Sequence, residues 1–160
     1  MINNMLSRGI VLFASAAGMM QKLNVSLLFE ESKADVEYFE QYGFTSIPNQ
    51  GAETLTAFIE GDRSHGVVVA STDRRYRIKT LLSGEVAIYD DIGTSIMLKK
   101  TGIAIAGAGN NITITGSPTI SITGGNVSVT GGDVIADGIH LKTHKHGGVA
   151  TGSGQTGVPV

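Results

Sequence analysis

"TGIAIAGAGNNITITGSPTISITGGNVSVTGG", residues 101–132, holds no charged side chain and repeats one motif four times. Triplets of apolar, small and apolar residues stand at Ile103-Ala104-Ile105, Ile112-Thr113-Ile114, Ile120-Ser121-Ile122 and Val127-Ser128-Val129, with a reduced fifth copy at Val134-Ile135. Side chains alternate across an extended chain, so each triplet places its two branched residues on one face and the small residue on the other. Glycine or asparagine separates the copies, as tight turns require. A repeat at this spacing marks a solenoid or array. The copies start nine, eight, seven and seven residues apart, and Ile gives way to Val in the same direction. A period that shrinks in this way predicts a structure that tapers.

One chain of such strands presents a single apolar row and an unpaired edge on each side, which invites aggregation. Winding identical chains around a common axis turns every row inward and pairs each strand with a neighbouring chain. Three chains give a triangular prism with glycines at the corners, a triple-stranded β-helix with closed cyclic symmetry. The competing reading is a flexible linker, but linkers seldom keep a β period. The shaft is expected over residues 99–136.

Upstream, residues 1–98 read as an all-β domain. "GIVLFAS", "KLNVSLLF", "LTAFIE", "HGVVVAST", "YRIKTLL" and "EVAIYDD" are short runs rich in β-branched and aromatic residues. Turn residues separate several of them, at Pro48-Asn49 with Gly51, at Gly61-Asp62 and at Ser83-Gly84. "ESKADVEYFEQYGF" reads either as a short helix or as a strand entering a loop. Five or six short strands in this length predict a small Greek-key barrel of the OB-fold type. The first run has an alternative: Arg8, the apolar stretch to Met20 and Ala14-Ser15-Ala16 resemble a secretory signal. That stretch is too short to span a bilayer.

Downstream, "HLKTHKHGG" (residues 140–148) holds three of the four histidines in a chain with no cysteine. His144 and His146 stand at i and i+2, so in an extended segment both face one way. Two imidazoles do not saturate a transition metal, whereas three chains on a threefold axis bring six. Six nitrogens in octahedral array suit iron or nickel better than zinc, which prefers four ligands. With every position filled the ion would be structural, a clamp on three chain ends. Isolated surface histidines are common, and a lone His-x-His pair is a weak motif. His140 shares the parity of the pair but reads as a packing or surface residue, and His65 as an ordinary residue at a strand entrance.

The bulk numbers narrow the class. A net charge of −2 and a pI near 6.0 give no electrostatic basis for binding nucleic acid or an anionic membrane surface. Without cysteine there are no disulfides, thiolate nucleophiles or Cys-based zinc sites. No Ser/His/Asp or paired-carboxylate constellation is apparent, so no enzyme is expected.

The tail "ADGIHLKTHKHGGVATGSGQTGVP" and the upstream "DRSHGVVVASTDRRYRIKTLLSGEVAIYDDIG" together resemble the central baseplate spikes of contractile-tailed bacteriophages, in the Mu-like branch also called baseplate assembly protein V. The resemblance runs from about residue 60 to the end. It implies a homotrimeric needle in the tail baseplate of the virion, assembled in the host cytoplasm, with three parts. Residues 1–98 would dock on the baseplate hub as an OB-fold domain, 99–136 would form the shaft, and 137–160 the apex that pierces the host outer membrane on sheath contraction. It implies one iron ion per trimer on His144 and His146 of each chain. It also implies room for calcium and chloride in the apex, with Asp137 a candidate contributor. Larger relatives carry a lysozyme domain, so cell-wall digestion is expected to fall to another tail component. Other readings stay open: the spike of a tailocin or prophage device, a secreted metal-binding or adhesive β protein cleaved near Ala16, and a metalloenzyme using His140, His144 and His146.

Overall fold

A computed structural model describes residues 5–148 together with residue 152. Strands dominate it, and the only helical pieces among the described residues are two single 3-10 turns, Leu28–Glu30 and Ile59–Gly61. The chain divides after Ile112 into two units.

The first unit opens with five strands: β1 (Leu6–Ser15), β2 (Gln21–Leu27), β3 (Ser32–Tyr38), β4 (Glu53–Phe58) and β5 (Gly66–Thr72). They close into a barrel in the order β1-β2-β3-β5-β4, antiparallel throughout except for the parallel β3–β5 contact. That order matches the expected OB-type barrel. Alternation builds the core: Leu23, Val25 and Leu27 of β2 point inward with Val11, Val36, Phe58 and Val68, while the residues between them face out. Closure demands curvature, and bulges supply it. Leu12 is an extra residue on β1 against β2, and Val69 on β5 against β4. The third lies on β3, where Asp35 takes a left-handed backbone (φ 56°) and its N–H donates to Asn24 Oδ1 at 2.9 Å. At Gly9 the β1 and β2 backbones come so close that a Cβ would sit 2.4 Å from the Ser26 carbonyl oxygen.

The run resembling a secretory signal is β1, which pairs with both β2 and β4 and buries Val11 completely. The ambiguous "ESKADVEYF" resolves as strand β3. "YRIKTLL" forms no strand, contrary to expectation. Two causes are visible. A closed barrel has no free edge to accept a sixth strand, and the chain leaving β5 is bent by a local turn. The Asp73 carboxylate accepts from the Arg75 N–H at 3.0 Å and from its guanidinium, which also reaches the Gln50 carbonyl at 2.9 Å.

"EVAIYDD" is a strand, but outside the barrel. β6 (Val86–Tyr89), β7 (Ser95–Lys99) and β8 (Gly102–Ala106) form a separate antiparallel meander. The first apolar triplet, Ile103 to Ile105, therefore pairs within its own chain, and the compositional break at Lys99-Lys100 is the end of β7 entering a hairpin turn.

Among the described residues of the second unit, taken by itself, there is one hairpin, β9 (Ile135–Ala136) and β10 (Ile139–His140). From residue 107 to 134 no strand pairing occurs within the chain. The backbone there keeps a repeat nonetheless. Left-handed glycines stand at 102, 109, 116, 124, 131 and 138, in steps of seven or eight residues. The expected taper is therefore not a shortening of the backbone repeat. Ile103 directly follows its turn glycine, whereas the later triplets start three or four residues after theirs.

Candidate functional site

Asp133, Val134 and the β9–β10 hairpin carry the histidine segment. Asp137 and Gly138 both have positive φ (47° and 81°) and connect the two strands, which is what a two-residue type I′ turn demands and Asp-Gly supplies. Asp137 is thus a turn residue. The ladder extends by one bond, Leu141 N–H to the Val134 carbonyl at 2.9 Å.

Asp133 clips both ends of this hairpin. Its Oδ1 accepts from the N–H of Val134 (2.8 Å) and of Lys142 (3.2 Å), and its Oδ2 lies 3.0 Å from His140 Nδ1. His140 is therefore engaged by a carboxylate rather than by the other two histidines. Beyond β10 the chain makes one turn, in which the His140 carbonyl accepts from the N–H of Thr143 (3.3 Å) and His144 (2.9 Å).

That turn brings His144 and His146 together, with ring centres 5.2 Å apart and planes at 78°. His144 Nδ1 lies 2.9 Å from the Leu141 carbonyl oxygen. A carbonyl only accepts, so Nδ1 must carry the proton. In the neutral ring this leaves the lone pair on Nε2. Metal-bound histidines are commonly held this way, with the second nitrogen fixed by a carbonyl or carboxylate. The donor chemistry thus fits a transition metal at His144, with His146 beside it. Among the described residues, no three His, Cys, Asp or Glu side chains of one chain gather as a ligand set. A single chain offers the imidazole pair alone.

Asp133 was not evident as a positioning group: in sequence it is one more acidic residue after Gly131-Gly132. The Leu141 carbonyl leaves no side-chain signature at all. His65 lies where expected, directly before β5, its carbonyl accepting from the Ile59 N–H at 3.1 Å. The end of the quoted tail, "TGVP" at residues 156–159, falls outside the described residues.

Two stretches match known families. Residues 8–75 match the family described as Bacteriophage Mu Gp45, N-terminal, and residues 138–160 match the GpV Apex motif. The chain is 39% identical over 101 residues to the baseplate puncturing device gp45 of Escherichia phage Mu, covering 63% of this chain and 51% of that protein. It is 35% identical over 101 residues to the Mu-like prophage FluMu protein gp45 of Haemophilus influenzae, covering 63% of this chain and 55% of that one. The chain thus spans about half the length of these curated relatives.

Proposed function

We propose that this chain, which matches the Bacteriophage Mu Gp45 N-terminal family over its barrel and the GpV Apex motif over residues 138–160, is the spike of a contractile tail: a homotrimer that pierces the host outer membrane when the sheath contracts. The barrel, within residues 1–98, docks on the baseplate hub; residues 99–136 form the intertwined shaft; residues 137–160 form the tip. The work is mechanical, and the protein's site is the tail baseplate of the virion.

One observation carries this reading. From Ile112 to Val134, every branched aliphatic side chain of the repeat leaves 44% to 67% of its surface exposed in the single chain. Six of these alternate strictly in three triplets, and with Val134 they have no use in a monomer and are satisfied by threefold winding. The imidazole pair carries the same message, since two ligands per chain become six around the axis. His144 and His146 of three chains would hold one iron ion, which supplies a crosslink between chain ends and leaves no position for substrate. His144 enters with Nδ1 already fixed by the Leu141 carbonyl. The apex could also hold calcium or chloride, but the position of Asp137 in the hairpin turn favours a structural role for that residue. The prophage origin of one relative supports a second setting for the same device, a contractile particle encoded in a bacterial genome.

The test is light scattering with elemental analysis. The expected result is a trimer with one metal ion per three chains; a monomer, or one metal per chain, refutes it. A His144→Ala, His146→Ala variant should lose the metal and remain trimeric, because the shaft supplies most of the burial.

A further inference from the structure

We propose that the β6–β7–β8 sheet is the trimerisation nucleus of this protein, its apolar face packing against the same face of two further copies of the chain. This rests on the trimeric reading above and adds where the trimer begins and in what order it forms.

The strand register lines up two cross-strand rows, Val86–Leu98–Ile103 and Ile88–Ile96–Ile105. Period-two alternation puts all six side chains on one face. Each is 43% to 72% exposed, together roughly 600 Å² of apolar surface, at the upper end of what an ordinary monomer shows. The opposite face carries Ala87, Met97 and Ala104, all partly covered. Charges are confined to the strand ends and turns, at Glu85, Asp90, Asp91, Lys99 and Lys100. A partner for the apolar face must therefore be uncharged and aliphatic. The chain itself identifies that partner. β8 bears the first Ile-x-Ile triplet of the repeat, whose later copies need other chains to cover them. The face of the meander carries the same kind of branched aliphatic side chain as the repeat that follows it in sequence, and a surface lying at a rotation axis meets its own copies.

The order of events follows from which pairings are local. Residues 107–134 have no strand pairing within one chain, so any strand pairing they make waits for other chains. The meander is paired within the chain through short connections. Asp90 Oδ1 accepts from the N–H of Ile92 (3.1 Å) and Thr94 (2.8 Å) across the first turn. Glu85, directly before β6, ties the approach to that strand to the second turn: Oε2 accepts from Leu82 N–H (2.9 Å) and Oε1 from Lys100 N–H (3.1 Å). Short loops close at low entropic cost, so this sheet forms before any long-range pairing. Three sheets packed face to face then hold three copies of residue 107 together in one register, at high effective concentration. A shaft that repeats every seven or eight residues needs this, because a slip of one repeat would preserve its apolar pattern.

The chain has no cysteine, so single cysteines in the full-length protein report directly. With copper phenanthroline as oxidant, Ile96→Cys should give covalent dimers on denaturing gels, and Met97→Cys on the opposite face should not. Ile122→Cys tests the shaft separately. In refolding from denaturant followed by light scattering, Ile96→Ala should slow trimer formation at least fivefold, while Ile122→Ala should leave the formation rate nearly unchanged and speed dissociation. If Ile122→Cys crosslinks and Ile96→Cys does not, or if Met97→Cys crosslinks equally well, the sheet is not at the axis and this proposal falls while the trimer stands. If Ile122→Ala slows formation and Ile96→Ala does not, assembly starts in the shaft and the nucleus is refuted. A native monomer overturns both readings.

Discussion

Replacing Ile122 by alanine separates a solitary chain from an intertwined one. In the single chain Ile122 leaves 59% of its surface exposed. Removing its three outer carbons deletes about 70 Å² of apolar surface, worth about 1.8 kcal/mol at ~25 cal/mol/Å² if that surface is buried on assembly. Threefold symmetry applies the loss three times, giving about 5 kcal/mol per trimer, and any cavity left on the axis adds to it. Because the midpoint concentration of a trimer varies as the square root of its dissociation constant, it should rise roughly sixty- to eightyfold. Analytical ultracentrifugation over a dilution series measures this, with the barrel's own unfolding transition as internal control. If the side chain faces solvent, the substitution stays within about 0.5 kcal/mol, as exposed sites usually do. An unchanged dilution midpoint would falsify the axial placement of the repeat.

Three further outcomes are expected. Asp133→Ala removes the acceptor that joins His140, Val134 and Lys142; metal affinity should fall about 10- to 100-fold with the trimer intact, measured by chelator competition, and unchanged affinity would show that the clip does not position the ligand turn. Gly9→Ala pushes a Cβ into the Ser26 carbonyl, a backbone atom that cannot step aside; the barrel should lose about 1–3 kcal/mol, read as a lower thermal midpoint, and a wild-type midpoint would mean the strands separate freely there. Hydrogen bonding from Arg63, then from Lys33, holds the Glu31 carboxyl below its ordinary range. A carboxylate depressed in the folded state stabilises above its unfolded value near 4.3 and loses that contribution as pH falls through the folded one. The thermal midpoint of Glu31→Gln should therefore lie below wild type at pH 7 and converge on it in acid; parallel curves would exclude the linkage.

Much of the barrel was legible because its strands alternate. β2 and β4 read as strands from their branched residues alone, and β1 could be told from a signal only by its two strand partners and the burial of Val11. Segments misread or missed were those decided by partners. "YRIKTLL" has good strand composition, yet the barrel had already closed. "SIMLK" is not legible as a strand because the compositional break at Lys99-Lys100 falls inside its hairpin with β8. At the apex, the spacing of His144 and His146 announced a ligand pair, but Asp133 and the Leu141 carbonyl act through hydrogen bonds set by a hairpin, which residue types do not reveal.

By itself the sequence determined the periodicities: alternating cores for the first half, and a glycine-punctuated apolar repeat ending in two imidazoles for the second. These are local properties, since side-chain direction along an extended chain follows from the backbone alone. Which runs pair, where the barrel closes, that the first triplet belongs to a meander with β6 and β7, and which nitrogen of His144 is left free were decided by tertiary structure. Each depends on a partner far along the chain or on a main-chain carbonyl, and neither is written in the order of the residues.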